Sequence, residues 1–284
     1  FRVDVTGTAP GLNHSHYSAL QVKNTLVDLQ RELWGERSSI DLAHPDLALH
    51  LHLNRGGAVL SLDGSGGSLH RRGYRAAMGA APLKENLAAG LIQLTGWDGR
   101  MPLVDPCCGS GILLIEAVTM ALQQAPGLGR QFGLEGWADF DRELWEREYA
   151  RARQRRRSEL DLAPVVGCEQ DPLIADQARD NIRAAGLDGL ISIHSGSFDQ
   201  QTLPPGPGLL VCNPPYGHRV GSEDDLEQLY RLLGSFVREQ ASGWQLWLLS
   251  GNASLTGALR LKASRRIPVS NGGIDCRWLN YGIR

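Results

Sequence analysis

The stretch "MPLVDPCCGSGILLIEAVTMAL", residues 101–122, carries the pattern that decides the fold prediction. A short apolar run ends at Asp105, a turn containing Gly109 and Gly111 follows, and an apolar segment of helical length comes next. Strand, glycine turn and helix in this order are typical of a parallel sheet that binds a ligand beyond the carboxyl ends of its strands. Leu114 stands where a dinucleotide-binding turn usually has its third glycine, so the anionic Asp105 favours a ligand with a positive group instead.

The alternation of strand and helix continues to the end of the chain. Four further strand-type runs are "APVVGCEQD", "GLISIHSGSF", "GLLVCNPP" and "WQLWLLSG". Among them, one helix is predicted to begin at Asp171 and Pro172, and another carries a capping box of Ser222 and Asp225. An Asn-Gly turn at Asn271 predicts a closing hairpin. The predicted fold class is therefore α/β, with a doubly wound, mostly parallel, Rossmann-like sheet.

The start of the chain follows a different order. Residues 1–63 are predicted to fold as β-α-β-β, with a helix that stops at Gly35 and a strictly alternating strand "LALHLHL". Residues 64–81 are rich in glycine and basic residues, which is typical of a connector. The predicted division is thus a small α+β part at 1–63, a basic connector at 64–81 and the α/β domain at 82–284.

Composition narrows the class of protein. The 284 residues are 42% hydrophobic and 21% charged with a net charge of −2, which is typical of a soluble globular protein without a global basic excess. No apolar run is long enough to cross a bilayer, and the start "FRVDVTG" does not resemble a signal peptide. The five cysteines fit neither a disulfide framework nor zinc spacing, which favours a reducing, cytoplasmic setting and no metal.

Residues suited to ligand binding end three of the predicted strands. Asp105 ends the first, Glu169 ends the second, and the motif "NPPYG" begins at Asn213 after a third. The carboxyl ends of parallel strands share one edge of the sheet, so these residues are expected to lie together. A carboxylate at Glu169 can accept two hydrogen bonds from a ribose diol; the alternative is that Glu169 or Asp171 caps the next helix, a role that suits Asp171 better.

These motifs carry a resemblance to a known family. "DPCCGSG", "CEQD" and "NPPYG", in this order on successive strands, resemble the class I methyltransferases that use S-adenosylmethionine and methylate amino groups. The segments "SLHRRGYR", "APLKENLAAGL", "YRLLGSFV" and "NGGIDCRWLNYGI" are similar to the ribosomal RNA guanine-N2 methyltransferases with an N-terminal THUMP domain. The resemblance covers nearly the whole chain, and residues 1–63 resemble the second half of a THUMP domain. "NPPY" alone is shared with DNA adenine and protein glutamine methylases.

The resemblance implies a site for S-adenosylmethionine. Its expected residues are Asp105, Cys107, Gly109, Gly111, Glu169, Gln170, Ser197, Phe198 and Asn213. Asp105 and the glycine turn would lie at the methionine and adenosine parts of the cofactor, and Glu169 at the ribose. Ser197 stands where relatives often have an acid that contacts adenine, and Phe198 is expected to pack on the ring. Further candidates on the upstream helix are Pro82, Leu83 and Glu85.

The resemblance also implies that Asn213, Pro214, Pro215 and Tyr216 are catalytic. The lone pair of an exocyclic amine is delocalised into the base, and hydrogen-bond acceptors can localise it. The side-chain carbonyl of Asn213 and the backbone carbonyl of Pro214 are two such acceptors, which the prolines would keep fixed. Tyr216 would offer a flat face to the target base. The alternative is a structural proline turn with a buried tyrosine.

RNA contacts are expected in the connector, at Arg71, Arg72, Tyr74 and Arg75. The alternative for these residues is a solvated linker. Six arginines between residues 147 and 157 are more typical of a solvated helix face, with an RNA contact as the alternative.

The expected partner is large-subunit, 23S-type ribosomal RNA, bound as free or immature RNA by a monomer. The target base must be unstacked or in a loop, because a paired guanine cannot present its amine to a pocket. Two other functions stay open: methylation of adenine N6 in RNA or DNA, and a non-catalytic RNA-binding role in ribosome assembly. A protein glutamine methylase would share "NPPY" but has no use for the THUMP-like part.

Overall fold

The computed structural model describes residues 1–75, 83–157, 160–216 and 222–284. The chain divides into two compact units. The first contains Phe1–Leu69 and Arg130–Tyr149, and the second contains His70–Gly129 and Ala150–Arg284. Pro82, one of the candidates for the upstream cofactor helix, lies outside the described residues.

The first unit has the predicted β-α-β-β order. Its elements are β1 (Arg2–Gly7), α1 (Ser15–Trp34), β2 (Ala48–Asn54) and β3 (Gly57–Leu62). The three strands form one sheet in the order β1-β2-β3, with β1 parallel and β3 antiparallel to β2. Gly35 ends α1 in the left-handed conformation at φ 75°, as the sequence predicts. A small core of Phe1, Val27 and Leu49 holds the helix on the sheet.

Residues 130–149, which interrupt the α/β sequence pattern, pack in the first unit. Arg130 anchors them, because its Nη2 donates hydrogen bonds to the carbonyl oxygens of Ser65 at 2.7 Å and Gly67 at 3.1 Å. The ring of Phe132 packs edge-on against Trp145, with centroids 5.3 Å apart. Trp145 belongs to α4 (Arg142–Gln154), which overlaps the segment 147–157 that the sequence favoured as a helix face. The division at residues 63 and 81 stays a prediction.

The second unit contains the predicted doubly wound sheet. Its elements are α2 (Glu85–Thr95), β4 (Leu103–Asp105), α3 (Ile112–Ala121), β5 (Val165–Glu169), α5 (Pro172–Ala184), β6 (Ser192–Ser195), β7 (Leu209–Cys212), α6 (Glu223–Gln240), β8 (Gln245–Ser250), α7 (Ala253–Ala258), β9 (Arg265–Asn271) and β10 (Ile274–Gly282). The strand order is β6-β5-β4-β7-β8-β10-β9. The first five of these strands are parallel, and β10 is antiparallel to both β8 and β9. The fold-class prediction is confirmed.

Both faces of the central strands β4, β7 and β8 are buried, which explains their continuous apolar sequences. Helices α2, α3 and α5 pack with Leu209 and Val211 on one face, and helices α6 and α7 pack with Leu210 and Cys212 on the other. The crossover from β6 to β7, whose residues are all described, contains only the 3₁₀ turn Phe198–Gln200 in place of an α-helix. The capping residues agree with the sequence: Asp171 caps α5, and Ser222 with Asp225 forms the box at α6.

The strand order places a ligand site. The chain runs outward from β4 through β5 to β6 and then returns to place β7 on the other side of β4. The crevice between β4 and β7 is therefore the topological switch point of the sheet. Asp105 ends β4 and Asn213 follows β7, so the two residues flank this crevice, with Glu169 at the end of neighbouring β5.

Candidate active site

The turn after β4 leaves open space above one glycine. Gly109 and Gly111 have φ angles of 54° and 82°, where side chains are strained, so glycine is the residue that suits both positions. A Cβ on Gly111 would touch Ala178 Cβ at 3.5 Å, whereas a Cβ on Gly109 would meet no described atom within 4 Å. The backbone at Gly109 is therefore the part of the turn that a ligand can approach.

Glu169 fixes this turn to the end of β5. Its Oε2 accepts a hydrogen bond from the backbone N–H of Gly109 at 3.0 Å, and its Oε1 accepts one from Asp171 N–H at 3.0 Å. Asp171, not Glu169, is the N-cap of α5, and its carboxylate accepts from Leu173 N–H at 2.9 Å. Each carboxylate oxygen of Glu169 keeps a lone pair for a further donor, such as a ribose hydroxyl.

Asp105 is a buried acid at the switch point. It is 1% exposed, and its Oδ1 accepts a hydrogen bond from Cys107 N–H at 3.1 Å. Burial, with a smaller contribution from the charge of Glu169, raises the pKa of the Asp105 carboxyl to about 8. A cationic ligand group nearby would lower this pKa again, because an opposite charge favours the ionised carboxylate. Without such a ligand, the raised pKa keeps the Asp105 carboxyl mainly protonated at neutral pH.

The loop after β7, residues 213–216, presents an unused acceptor. The Oδ1 of Asn213 is buried and has no hydrogen-bond partner among the described residues. An unpaired buried acceptor costs about 1–3 kcal/mol, a cost that a ligand N–H would remove. Pro214 next to it is buried, and Tyr216 is half-buried. Gly217, the last residue of the "NPPYG" motif, lies outside the described residues.

The hydroxyl of Tyr216 is held by the hairpin at the end of the chain. It accepts a hydrogen bond from Asn271 Nδ2 at 2.8 Å and one from Cys276 Sγ at 3.6 Å. Burial raises the pKa of Tyr216, so the hydroxyl stays protonated at neutral pH. The sequence predicts the hairpin from its Asn-Gly turn but gives no indication that Asn271 contacts the loop 55 residues away.

Residues expected near adenine line the other side of the site. Phe198 is 4% exposed and packs edge-on against Phe236, with ring centroids 5.3 Å apart. It borders a cavity of about 130 Å³ together with Pro106 and Cys168. This volume is below the roughly 300–1,000 Å³ of pockets for drug-sized ligands, so the cavity alone does not hold a nucleoside. Ser197 donates a hydrogen bond to Asp199, which places a carboxylate two residues after the position where an acid was expected.

Two other expected cofactor residues differ in exposure. Gln170 is exposed at the end of β5, and Cys107 is half-buried in the glycine turn. All five cysteines are free. Within the described ranges, the His, Cys, Asp and Glu side chains form no cluster that could hold a metal ion, and no helix is long and apolar enough to span a membrane.

The connector residues expected to bind RNA make mostly buried contacts. Arg72 Nη2 lies 3.5 Å from Glu116 Oε2, and Tyr74 donates a hydrogen bond to Glu116 Oε1 at 2.9 Å. Arg75 Nη1 lies 3.8 Å from Glu85 Oε1. These contacts favour a structural role for Arg72, Tyr74 and Arg75 over phosphate binding, whereas Arg71 is exposed. The signal for this network was the lone acid Glu116 within the apolar helix "ILLIEAV".

Comparison with known proteins identifies the family. The profile of the RMKL-like methyltransferase domain matches residues 72–280, and the profile of the THUMP domain matches residues 1–63. The chain is 42% identical over 283 residues to the Synechocystis protein named "Putative RNA methyltransferase slr0064", covering 99% of this chain and 73% of that protein. It is 44% identical over 282 residues to the ribosomal RNA large subunit methyltransferase K/L of Syntrophotalea carbinolica, covering 96% of this chain.

The K/L relative is longer, and the chain spans 40% of its length. The solved structure of SMU.472 in complex with SAH superposes with a TM-score of 0.87 at 26% identity, over all of this chain and 75% of that one. This chain has an acid at the switch point, an open glycine turn after β4 and a carboxylate at the end of β5. The chain belongs to the family of THUMP-containing, RMKL-like methyltransferases that use S-adenosylmethionine.

Proposed function

We propose that this chain transfers a methyl group from S-adenosylmethionine to the N2 amine of a guanine in large-subunit ribosomal RNA. The observation that carries the proposal is the buried Oδ1 of Asn213 beside the switch point, which has no hydrogen-bond partner among the residues that the structure describes. It is an acceptor for an amine N–H at the edge of the sheet where Asp105 and Glu169 are suited to the cofactor. The substrate is supported by the K/L relatives, whose name refers to the large-subunit ribosomal RNA.

The cofactor is assigned to the residues at the ends of β4, β5 and β6. Asp105 faces its positive charge, the backbone at Gly109 lies against it, and Glu169 accepts hydrogen bonds from the ribose. Phe198 packs at the adenine, where Asp199 is a further acceptor. Bound S-adenosylmethionine supplies an electrophilic methyl group. The cofactor set proposed from the sequence, which also contains Cys107, Gly111, Gln170, Ser197 and Asn213, is retained.

The chemical role of the 213–216 loop is to prepare the amine. Asn213 Oδ1 and the backbone carbonyl of Pro214 accept the two amine hydrogens, which localises the nitrogen lone pair. The two prolines limit the motion of both acceptors, so little entropy is lost when the base binds. Tyr216 offers its ring face to the base. As the new C–N bond forms and the S–C bond breaks, the amine nitrogen releases one proton to water.

The three parts of the chain have different roles in this function. Residues 1–63 contribute a THUMP-like RNA-binding part, residues 64–81 connect it, and residues 82–284 form the methyltransferase domain. In the connector, Arg71 is the residue whose exposure suits a phosphate contact. The substrate is free or immature RNA, in which a guanine can leave its stack. The five free cysteines fit a monomer acting in the reducing cytoplasm.

The test is methyl transfer from labelled S-adenosylmethionine to extracted ribosomal RNA, followed by identification of the labelled nucleoside. Label on N2-methylguanosine of the large-subunit RNA is the expected result. Label on N6-methyladenosine would replace the guanine assignment with the adenine alternative. Cofactor binding without transfer to RNA, DNA or a protein glutamine would favour the non-catalytic ribosome-assembly role.

A further inference from the structure

The β9–β10 hairpin ends at the same edge of the sheet as the cofactor residues. Because β10 is antiparallel to β8 and pairs Arg277 with Ser250, β10 begins where β8 ends. The turn between β9 and β10 therefore lies beyond the carboxyl ends of the parallel strands. Gly272 and Gly273 form it with φ angles of 60° and 84°, the left-handed pair that a tight hairpin turn requires.

The hairpin is packed closely against the end of β8. A Cβ on Gly251 would lie 3.0 Å from Ile274 Cγ2 and 3.3 Å from Cys276 Sγ, so a side chain there would require these neighbours to shift by a few tenths of an ångström. Cys276 is 3% exposed. Side chains on this part of the hairpin are consequently held at a fixed place relative to the parallel strands and the 213–216 loop that follows β7.

Asn271 uses this fixed place to hold Tyr216. Its Nδ2 donates to the Tyr216 hydroxyl at 2.8 Å, and Cys276 Sγ donates to the same oxygen at 3.6 Å. The tyrosine is thus attached at two points, through its backbone to the proline loop and through its hydroxyl to the hairpin. A ring fixed at both ends loses little rotamer freedom when a base stacks on it.

We propose that Asn271 is a positioning residue for the RNA base, acting through its hydrogen bond to Tyr216. The inference rests on the proposed function, in which the Tyr216 ring is the surface for the target base. Asn271 does not touch the base in this arrangement; it sets the orientation of the ring. The hairpin then belongs to the substrate site although its sequence lies 55 residues after Tyr216.

The experiment is a double-mutant cycle in the full chain with Asn271→Ala, Tyr216→Phe and the double variant. Each single variant removes the same hydrogen bond, so we expect KM for RNA to rise about two- to tenfold in each, the range for one neutral hydrogen bond. The double variant is expected to be no worse than Tyr216→Phe, which already lacks the hydrogen bond from Asn271 as well as the one from Cys276. Titration calorimetry is expected to show unchanged affinity for S-adenosylmethionine in all three.

Asn280→Ala is the matched control. Asn280 lies in the same β9–β10 hairpin, on β10 at the opposite edge of the sheet, where its Nδ2 donates to Gln245 Oε1 at 3.2 Å and its Oδ1 accepts from Ser264 Oγ at 2.6 Å. Its loss is expected to lower the melting temperature like the loss of Asn271 while leaving KM for RNA unchanged. An equal rise in KM in Asn280→Ala would mean that the effect of Asn271 is only structural.

Each of the following results overturns the inference. They are a wild-type KM in Asn271→Ala, additive effects in the double variant, and a matching rise in the Asn280→Ala control. If Asn271→Ala fails to fold, Tyr216→Phe still tests the inference. A wild-type KM for RNA in Tyr216→Phe would show that the hydrogen bond to the hydroxyl does not position the base. Failure of the proposed function gives a different result from failure of the role of Asn271. If the Tyr216 ring does not contact the target base, Tyr216→Ala leaves RNA binding and turnover at wild-type values.

Discussion

The carboxylate of Glu169 is bonded to the backbone N–H of Gly109, 60 residues earlier in the chain, at 3.0 Å. This contact joins the end of β5 to the turn after β4, so a side chain from one strand end helps to fix the glycine turn at the other. An acid that only capped the next helix would have no such bond, and Asp171 already fills the capping position.

Glu169→Ala is expected to weaken binding of S-adenosylmethionine by roughly 1–3 kcal/mol, because the ribose loses its acceptors and Gly109 loses its anchor. Isothermal titration calorimetry measures the change. Asp171→Ala is the control: it loses the cap of α5, which lowers the free energy of unfolding by about 0.5–2 kcal/mol without changing cofactor affinity. Equal cofactor affinity in the wild type and Glu169→Ala would remove Glu169 from the site.

Substitutions in the glycine turn separate backbone strain from ligand contact. Gly111→Val is expected to abolish cofactor binding and to destabilise the fold, since a β-branched residue at φ 82° is strained and its Cβ would contact Ala178. Gly109→Ala is expected to fold with a cost of about 1–2 kcal/mol, because no described atom lies near its Cβ, yet to bind the cofactor weakly.

Thermal unfolding with and without cofactor distinguishes the two glycine variants. A Gly109→Ala protein that gains as much stability from the cofactor as the wild type does would show that the ligand does not approach this backbone.

The burial of Asp105 predicts a pH dependence of cofactor binding. The pKa of the Asp105 carboxyl is about 8 in the folded chain, above the ordinary value of 3.8. Without cofactor, the protonated carboxyl therefore contributes fully to the free energy of unfolding below about pH 4, and this contribution is lost as the pH rises through 8. A cationic cofactor binds the ionised carboxylate, so we expect its affinity to rise between about pH 6 and pH 8.5, with release of a proton on binding.

Calorimetry in two buffers of different ionisation enthalpy counts that proton. Asp105→Asn is expected to give a flat affinity profile over the same pH range and no proton release linked to this site. A pH profile in the wild type identical to that of Asp105→Asn would show that the carboxyl does not face the charge of the cofactor.

The central strands of the fold were predictable from the sequence, and so was the placement of the candidate site residues at one edge of the sheet. Strands buried on both faces require continuous apolar runs, and the positions of Gly35, Asp171 and Ser222 mark helix ends by local chemistry alone. The three strand ends share one edge for topological reasons, which a βαβ pattern already implies. These features depend on neighbours within a few residues of each other or on the general geometry of parallel sheets.

The contacts that the sequence did not predict join distant segments. Arg130 is bonded to carbonyls more than 60 residues earlier, which is why residues 130–149 pack in the first unit rather than with the strands that flank them. From the sequence, Arg72 and Arg75 were expected to contact RNA. Their acidic partners, Glu116 and Glu85, belong to helices that come later in the chain, so the sequence around the arginines does not show the pairing. Composition shows such charges, but the fold decides which of them are paired.

Arg72→Gln is expected to destabilise the protein by about 3 kcal/mol or more, because Glu116 would be left as a buried acid without its ion-pair partner. Denaturant unfolding measures this loss. We expect the dependence of RNA binding on salt concentration to stay at the wild-type slope, since Arg72 contacts a carboxylate rather than a phosphate.

The comparison variant replaces the exposed Arg155 and Arg157 by glutamine, with little expected effect on stability. If these two residues bind RNA phosphates, the salt slope falls by about 0.7 for each phosphate that is no longer neutralised on single-stranded RNA. A weaker salt dependence of RNA binding in Arg72→Gln would instead show that the connector contacts RNA. An unchanged salt dependence in both variants would indicate that the arginines at 147–157 form a solvated helix face.

Asn213→Ala tests the chemical step itself. The variant removes one of the two acceptors for the amine, so we expect kcat to fall on the order of a hundredfold or more, as for loss of one preorganised hydrogen-bond partner. Affinity for S-adenosylmethionine is expected to change little, because the adenosine contacts lie at the ends of β4, β5 and β6. Stability is expected to rise slightly or stay equal, because the variant removes a buried oxygen that no described residue hydrogen-bonds. Single-turnover transfer of label to ribosomal RNA measures the rate of the chemical step, and calorimetry measures the affinity for the cofactor. Transfer at the wild-type rate would exclude Asn213 from the mechanism, even if the product is N2-methylguanosine.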